Sequence, residues 1–392
     1  MKKLFFSLIV IMFSTYLFSE GVEFSGDIST SWGVFAPWTN KDTAGDFSLG
    51  DTNFTGKVDA WYGNSSAFAE GKVSYDALSN SVDFSLGEVW ADYTPSFWGI
   101  RIGRQKVAWG KADGIDITNV VCPGDMSSIA AMTSDDSKLP VNAIRLSFSG
   151  NQFTADAFWI PFFTPAVLPA EKVAGVPIEK PELAIWNGEY GLKLSGYFPF
   201  CDVSLYGFYG WDDMPFVGPS TSSGTPGVFV GKYKHMAMVG LDAAIPVKAV
   251  VLRTEAAFFP QRYFSIDEQR NELSALAGLD WMPSGWTLTA QYFCDYVFGN
   301  LDNLDRKDAY THGVTLSISK SLLNETMDLS LAGVVNLNAF DSLINPSLNY
   351  SLSDQINIKT GAYILLPGPD EDGTYGAYKD YSSIYINVKF SI

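Results

Sequence analysis

The side chains that could act as an acid, a base or a nucleophile are few in this chain of 392 residues. Hydrolytic enzymes with a serine or cysteine nucleophile need a general base, which is usually histidine. The two histidines, His235 and His312, have no evident serine and acid partners nearby in the sequence. The carboxylate pair Asp212-Asp213 is typical of a solvated loop, and glycine-rich phosphate motifs are absent from the sequence. We therefore expect neither enzymatic activity nor a cofactor.

The cysteines do not indicate a metal centre or a disulfide framework. Cys122, Cys201 and Cys294 are odd in number and lack metal-ligand spacing. Disulfides in an exported protein come in pairs. We interpret the three cysteines as unpaired small apolar residues, and we expect no metal site.

Charged side chains at alternate positions could instead line an aqueous channel, where rings of charge set the ion preference. On this interpretation the inward-facing basic residues are Lys57, Lys72, Arg101, Arg145, Lys193, Lys234, Arg253, Lys359 and Lys389. The inward-facing acidic residues are Glu23, Asp27, Asp59, Glu70, Glu88, Asp92, Asp242, Glu255, Asp280 and Asp295. Because the two sets nearly balance, the wall predicts no strong selectivity of either sign.

The elements that would position these charges are strands. In the segment 22–34 the residues Val22, Phe24, Ile28 and Trp32 fall on one parity, and polar residues fall on the other. This alternation lasts longer than the five or six residues of a typical soluble strand. Strands of about 9–11 residues with one apolar face are typical of membrane barrels.

The composition agrees with a membrane barrel. Charged residues make up 18% and aromatic residues 15% of the chain, against about 25% charged residues in an average globular domain. The formal net charge of −17 argues against a nucleic-acid partner, because phosphate binding needs a basic surface. We attribute most of this charge to the external loops.

The N-terminus predicts export. Lys2 and Lys3 precede an apolar run at 4–13, and small or polar residues follow at 14–19. This order is typical of a secretory signal peptide, predicted at 1–19. A short membrane anchor is the weaker alternative, since the apolar run is too short to span a bilayer. No later stretch is apolar enough for a transmembrane helix.

The connections between predicted strands alternate in length. Eighteen strands can be placed between residues 22 and 392, with 16 as the alternative count. The even connections are tight and the odd ones are mostly long, which is typical of periplasmic turns and external loops. The sequence therefore predicts an all-β fold over 20–392. The predicted fold is a closed antiparallel transmembrane β-barrel with short periplasmic turns and long external loops.

The longest connection, 108–140, is the candidate constriction of the barrel. Loops of this length in compact folds are usually functional, and the alternative is a solvated surface loop. The candidate pore-lining or constriction residues are Lys111, Asp113, Asp116 and Asp125 of this loop, with Arg101, Arg145, Lys193, Arg253 and Glu255 of the strands. Arg104 falls on the lipid-facing parity, so we expect it near the rim or at a bulge.

Two further features predict contacts with the membrane. The final strand carries the apolar stripe Ile384, Ile386, Val388, Phe390 and Ile392, which resembles the terminal stripe recognised by the barrel-assembly machinery. Aromatic residues at strand ends are expected to anchor the barrel at the membrane interfaces. These residues are Trp32, Tyr62, Trp98, Trp281, Trp286 and Tyr292.

Several short motifs resemble those of a known family. Residues 100–105 (Ile-Arg-Ile-Gly-Arg-Gln) precede Trp109-Gly110, and Phe158-Trp159-Ile160-Pro161 follows in the expected order. Residues 119–125 also fit, except that Cys122 stands where asparagine is more usual. The chain resembles a domain-of-unknown-function family of Gram-negative outer-membrane β-barrels, distantly related to porins and polysaccharide-export barrels. The resemblance is good over about 98–260, and it implies a barrel of the same kind.

These observations lead to one function and two alternatives. We expect a porin-like channel in the cell outer membrane for passive diffusion of small solutes, constricted by the loop at 108–140. A selective channel or exporter for hydrophobic or polysaccharide substrates is the first alternative, and a surface adhesin barrel is the second. The expected partners are outer-membrane lipid, small solutes and the assembly machinery. A homo-oligomer is left open.

Overall fold

The computed structural model describes residues 21–38, 42–134, 137–169, 175–219, 229–304, 306–370 and 373–392. The predicted signal peptide at 1–19 lies outside these described residues. Among the helices in the described part of the chain, none has the length and hydropathy needed to cross a membrane.

Eighteen strands form one antiparallel sheet that closes into a barrel, because β1 pairs with both β2 and the last strand, β21. This confirms the predicted fold class and settles the strand count at 18. The barrel strands are β1 (Gly21–Phe35), β2 (Phe47–Tyr62), β3 (Ser65–Asp76), β4 (Ser81–Tyr93), β5 (Trp98–Gln105), β6 (Val141–Ser149), β7 (Phe153–Ile160), β9 (Glu189–Phe198), β10 (Cys201–Trp211), β13 (His235–Val247), β14 (Val250–Tyr263), β15 (Gln269–Trp281), β16 (Trp286–Val297), β17 (Tyr310–Leu322), β18 (Met327–Asn336), β19 (Asp341–Ser351), β20 (Ile356–Leu366) and β21 (Ser383–Ser391).

The pleat of each strand separates an apolar outer face from a polar inner face. In β1 the exposed side chains Phe24, Ile28 and Trp32 share one parity. Asp27 lies on the other parity and forms an ion pair with Lys389 of β21, with 3.2 Å between Oδ1 and Nζ. Because side chains alternate across a strand, the sequence pattern of period two fixes which residues face the interior.

The two ends of the barrel differ in their connections. At one end, here named the turn end, the connections are 63–64, 94–97, 150–152, 199–200, 248–249, 282–285, 323–326 and 352–355. At the other end, here named the loop end, they are 36–46, 77–80, 106–140, 161–188, 212–234, 264–268, 298–309, 337–340 and 367–382. The predicted alternation of short and long connections is therefore confirmed.

Two connections differ from the sequence interpretation. The connection after β10 contains a hairpin, β11 (Phe216–Pro219) and β12 (Phe229–Lys232), which forms a three-stranded sheet with β8 (Ile178–Glu179). The sequence pattern predicts that this strand ends at 259 and that a loop follows at 260–270, whereas β14 continues to Tyr263 through a register shift. Alternation is lost at such a shift, so the sequence pattern ended the strand too early.

The helical elements in the described residues are short and lie in loop-end connections. Helix α1 (Ile129–Met132) begins after Ser128, whose hydroxyl accepts the N–H of Ala131. Two 3-10 helices span Ile185–Asn187 and Gly376–Tyr381.

Candidate functional site

The connection 106–140, here named the inward loop, lies inside the barrel against β14. Arg253 and Glu255 lie two residues apart on β14, so their side chains share one face of the strand, the face that contacts the inward loop. Both side chains contact the inward loop, although the loop lies about 140 residues earlier in the chain. The site therefore joins a long connection to the opposite part of the barrel wall.

Glu255 holds the first turn of the inward loop. Its carboxylate is 1% exposed and accepts the backbone N–H groups of Lys111 and Ala112, the latter at 2.5 Å. It also accepts the hydroxyl of Thr118 at 3.1 Å. Hydrogen bonds to an ionised acceptor are about twice as strong as neutral ones. Glu255 is therefore the central anchor of the loop.

Gly110 is required by this arrangement. Its φ is +83°, and a Cβ built there would lie 2.7 Å and 2.8 Å from the carboxylate oxygens of Glu255. A residue with a side chain would be strained by the backbone conformation and would also displace the anchor. The Trp-Gly motif seen in the sequence is thus part of the loop attachment.

Arg253 contacts the same loop turn from one side. Its Nη1 donates to the carbonyl of Lys111 at 2.7 Å and to Oδ2 of Asp113 at 2.8 Å. Its Nε lies 2.5 Å from Oδ2 of Asp280 on β15. Gln291 of β16 adds two bonds to the backbone of Asp113, with its amide donating at 2.7 Å and accepting at 3.1 Å. Strands β14 and β16 thus hold the loop turn directly, and Asp280 of β15 holds Arg253.

An apolar cluster seals the sector of the lumen between β6 and β15. Trp109 of the inward loop is buried, and its ring lies 4.9 Å from that of Tyr206 and 6.1 Å from that of Phe158. The other buried members include Val107, Ile117, Val121, Cys122, Phe208, Met236, Met238, Ala257, Phe259 and Leu276. Burial of these inward-facing wall residues excludes water from this sector. We name it the sealed sector.

The inward loop also reaches the far wall. Thr133, which follows α1, shares a side-chain hydrogen bond with Tyr363 of β20. Counted along the sheet, six strand pairings separate β5, where the loop starts, from β14, and six more separate β14 from β20. The remaining arc from β20 back to β5 also contains six pairings. Three of the places where the loop meets the wall, at β5, β14 and β20, therefore lie a third of the circumference apart.

The structure places the other candidate residues in ion pairs or beside aromatic rings. Lys111 lies 3.7 Å from the buried Asp242, which accepts the hydroxyl of Tyr206. Asp116 pairs with Lys138 at 2.5 Å within the loop. The wall residues Arg145, Arg101 and Lys193 contact Asp156 (2.9 Å), Asp92 (3.1 Å) and the ring of Tyr206 (5.5 Å), respectively.

Asp125 is not brought to the loop anchor. It lies with Gly124, Val167 and Asp213 in a group of loop residues at the loop end, here named the cap. There it forms a β-bridge with Val167 and accepts the N–H of Ser127 at 3.0 Å. In the same cap, Asp213 accepts a hydrogen bond from the Gly124 backbone. Desolvation, followed by repulsion from Asp212, raises the pKa of Asp213 to about 6. The cap therefore contains a carboxyl group that can be protonated in mildly acidic solution.

The sequence interpretation missed several residues of the site. Tyr206, Gln291, Tyr363 and Asp156 all face the interior and contact the inward loop or a candidate basic residue. Their inward parity was readable from the strands. Their contacts were not, because the path of the loop sets them.

The Gly-Arg-Gln motif shapes the start of the inward loop. Gly103 has a φ of +135°, and a Cβ there would lie 2.3 Å from the carbonyl oxygen of Val89. Arg104 donates to the carbonyls of Leu86 and Gly87, beside the register shift between β3 and β4. Arg104 thus lies at a bulge, as expected. Gln105 is buried and donates to the carbonyl of Ala143 at 2.9 Å.

No three His, Cys, Asp or Glu side chains of the described residues are grouped so that they could hold a metal ion. The site is therefore one of hydrogen bonds and ion pairs between a loop and a barrel wall.

Comparison with known proteins supplies a family and a set of similar folds. The family described as "protein of unknown function (DUF1302)" matches residues 16–327, a longer stretch than the motifs covered. The structure of OpdK with vanillate, from Pseudomonas aeruginosa, has a TM-score of 0.60 at 8% identity, covering 96% of this chain and 99% of that chain.

Two other solved structures have similar folds. OccK2 (OpdF) of Pseudomonas aeruginosa, in complex with glucuronate, has a TM-score of 0.56 at 10% identity, with 96% and 99% coverage of this and that chain. OmpT of Vibrio cholerae, in a trimer form, has a TM-score of 0.51 at 12% identity, with 95% and 99% coverage. At these identities the likeness is one of fold alone. The search of curated proteins gave no significant match.

Proposed function

The chain belongs to the DUF1302 family, and from this premise we propose that it is a porin-like channel of the cell outer membrane for passive diffusion of small solutes. The inward loop is its constriction. The observation that carries this proposal is the anchoring of that loop inside a closed 18-stranded barrel by Glu255.

The outer face of the barrel supports a location in lipid. Large apolar side chains are exposed on most of the barrel strands, among them Phe24, Phe84, Leu205 and Leu252. Water-soluble proteins rarely expose contiguous apolar patches of this extent. In lipid every backbone N–H and C=O must be paired within the protein, and a closed barrel meets that requirement. Interface anchoring by aromatic residues such as Tyr62 and Trp286 is part of this proposal.

The strand number supports an aqueous lumen. Barrels of 16–18 strands are wide enough for a water-filled channel. The sealed sector occupies one part of that width, and the inward loop crosses to β20. The remaining path runs along inward-facing polar side chains. Solutes would therefore be limited by size at the level of the inward loop.

A passive channel requires no chemistry from the protein, so we propose that the chain is not an enzyme. We also propose a homo-oligomer, for which the trimer form of OmpT gives support from fold alone. Sedimentation of the protein in detergent would test it, since a monomer over the usable concentration range would contradict it.

Planar-bilayer recording tests the channel. We expect single-channel currents from the inserted protein and larger currents after deletion of residues 110–135. A Gly124→Ala variant serves as the control within the loop, because Gly124 is not among the glycines with positive φ and its Cβ would lie 3.7 Å from Met126, an ordinary van der Waals distance. A folded, inserted protein that carries no current, before or after the deletion, would overturn the proposal.

A further inference from the structure

Strands β1 to β4 carry four lumen-facing carboxylates without an ion pair among the described residues, two of which, Asp51 and Asp83, the sequence parity did not include. These four are Glu23, Asp51, Asp59 and Asp83, which lie on the inward faces of their strands. Their cross-strand partners on the same face are Asp59, Ser31, Phe68 and Ser74, respectively. We name these four carboxylates the acidic wall. They lie on the arc from β20 to β5, away from the sealed sector.

Three of the basic residues around the acidic wall form ion pairs with carboxylates outside it. Lys57 lies 3.5 Å from Glu70, Arg101 lies 3.1 Å from Asp92, and Lys389 lies 3.2 Å from Asp27. Lys72 interacts electrostatically with Asp51. Across the described part of the chain, none of the four acidic-wall carboxylates forms an ion pair within 4 Å. This side of the lumen therefore has excess negative charge.

The strand register brings like charges together in this wall. Glu23 lies directly opposite Asp59, and Asp51 lies directly opposite Asp76 at the rim. Cross-strand neighbours on one face have Cβ atoms about 4.5–5.5 Å apart, and like charges there repel each other. Mobile cations in the lumen would relieve that repulsion.

An aromatic pair beside the carboxylates already accommodates a cation. The inward-facing rings of Phe68 and Trp90 are stacked, with centroids 5.6 Å apart. The guanidinium of Arg101 lies 3.7 Å from the centre of the Trp90 ring while it pairs with Asp92. A cation over an aromatic face is attracted by the ring quadrupole. Phe68 is placed directly opposite Asp59, which repeats the combination of a ring and a carboxylate.

The inward loop adds charge of the same sign. The side chain of Asp113 is 58% exposed, and Arg253 is shared between Asp113 and the buried Asp280. One guanidinium thus serves two carboxylates, which leaves this face of the constriction negative as well. Fixed charge of one sign in a narrow aqueous path concentrates the opposite ion.

We propose that the pore selects for small cations, including organic ammonium and guanidinium compounds, and that the acidic wall sets this preference. The inference rests on the proposed channel function and names its substrate class. Arg101 on Trp90 marks the chemistry that the wall accepts, and Phe68 with Asp59 offers an equivalent contact to a passing cation.

The first test measures the reversal potential of the full-length protein under a potassium chloride gradient. We expect the wild type to favour potassium over chloride. The double variant Glu23→Gln/Asp59→Asn should lower the permeability ratio by about twofold for each carboxylate removed, as unit charges about 8 Å apart in water would give. The matched control is Glu325→Gln/Asp354→Asn, which removes the same charge from turn-end connections and should leave the ratio nearly unchanged.

The second test compares solutes of similar size in liposome swelling. Arginine and choline should enter faster than glucose, and glucuronate should enter most slowly. Currents without a cation preference, or a ratio unchanged in the double variant, would overturn the inference and leave the channel function standing. A complete absence of current would instead overturn the proposed function. Equal swelling rates for the cationic, neutral and anionic solutes would contradict the role of the acidic wall and leave the channel function standing.

Discussion

Glu255 of β14 accepts the backbone N–H of Ala112 at 2.5 Å, across a separation of 143 residues in the chain. This contact ties the longest described connection to the barrel wall inside the lumen. It also gives the candidate site one residue whose substitution should loosen the constriction.

We predict that Glu255→Gln loosens the inward loop. The amide keeps one acceptor oxygen but loses the charge that strengthens its bonds to Lys111 and Ala112. Hydrogen bonds to a charged group contribute about 1.5–3 kcal/mol each, so the loop attachment should weaken by about that amount. Single-channel recordings should show larger and noisier currents. Currents identical to those of wild type would contradict the anchoring role of Glu255.

Gly110→Ala should destabilise the loop more than Gly114→Ala. Both glycines have positive φ, +83° and +74°, so both substitutions carry similar backbone strain of about 1–3 kcal/mol. Only at position 110 would the new Cβ meet the carboxylate of Glu255 and the hydroxyl of Thr118. Limited proteolysis of the inward loop measures the difference, and equal cleavage rates in the two variants would refute the prediction.

The contact with the far wall should contribute less. Tyr363→Phe removes the hydrogen bond to Thr133 and leaves the anchor at Glu255 in place. One neutral hydrogen bond contributes about 1 kcal/mol, so we expect added current noise at nearly unchanged mean conductance. A change as large as that of Glu255→Gln would show that β20 is the principal support of the loop.

Cys122 should be protected from thiol reagents. The side chain is buried in the sealed sector, its Sγ accepts the N–H of Val107, and burial raises its pKa to about 11. Since the thiolate is the reactive form, labelling at pH 8 in a Cys201→Ser/Cys294→Ser background should be slow. Adding Glu255→Gln should accelerate it. Rapid labelling of Cys122 in the variant that keeps Glu255 would show that the sealed sector is open to solvent.

The cap at the loop end should become firmer in mild acid. Because the pKa of Asp213 is raised to about 6 from an ordinary 3.8, the folded cap binds a proton more tightly than the unfolded chain does. Stability should therefore increase as pH falls from above 6 towards 4, and this contribution is lost above pH 6. Asp213→Asn should make cap proteolysis insensitive to pH between 7.5 and 5. A variant that keeps the wild-type pH dependence would assign the effect to another group.

The fold was predictable because one physical signal repeats through the chain. The alternation of apolar and polar side chains predicted the strands and their outer face. It also predicted the inward position of Arg253 and Glu255, because β14 is regular over those residues. The partners of Glu255 were not predictable from pattern. They depend on the path of an irregular connection whose hydrogen bonds join residues 143 positions apart.

The predicted balance of charge in the lumen was incomplete for a related reason. The register shift between β3 and β4 moves the inward parity of β4 from odd to even residue numbers. Asp83 precedes the shift and Asp92 follows it, so a single parity includes only one of them. The structure also shows which carboxylates are neutralised. Asp92 forms an ion pair with Arg101, whereas Asp83 has no ion pair within 4 Å among the described residues.

The three attachments of the inward loop, at β5, β14 and β20, have a mechanical consequence. A rigid body supported at three points spread evenly around a ring cannot tilt about the line through any two of them while the third contact holds. Rocking of the loop therefore requires the loss of a whole attachment. Any closure of this barrel by loop movement would then proceed in discrete steps, as the contacts at β14 and β20 are released one after the other while the chain stays continuous with β5.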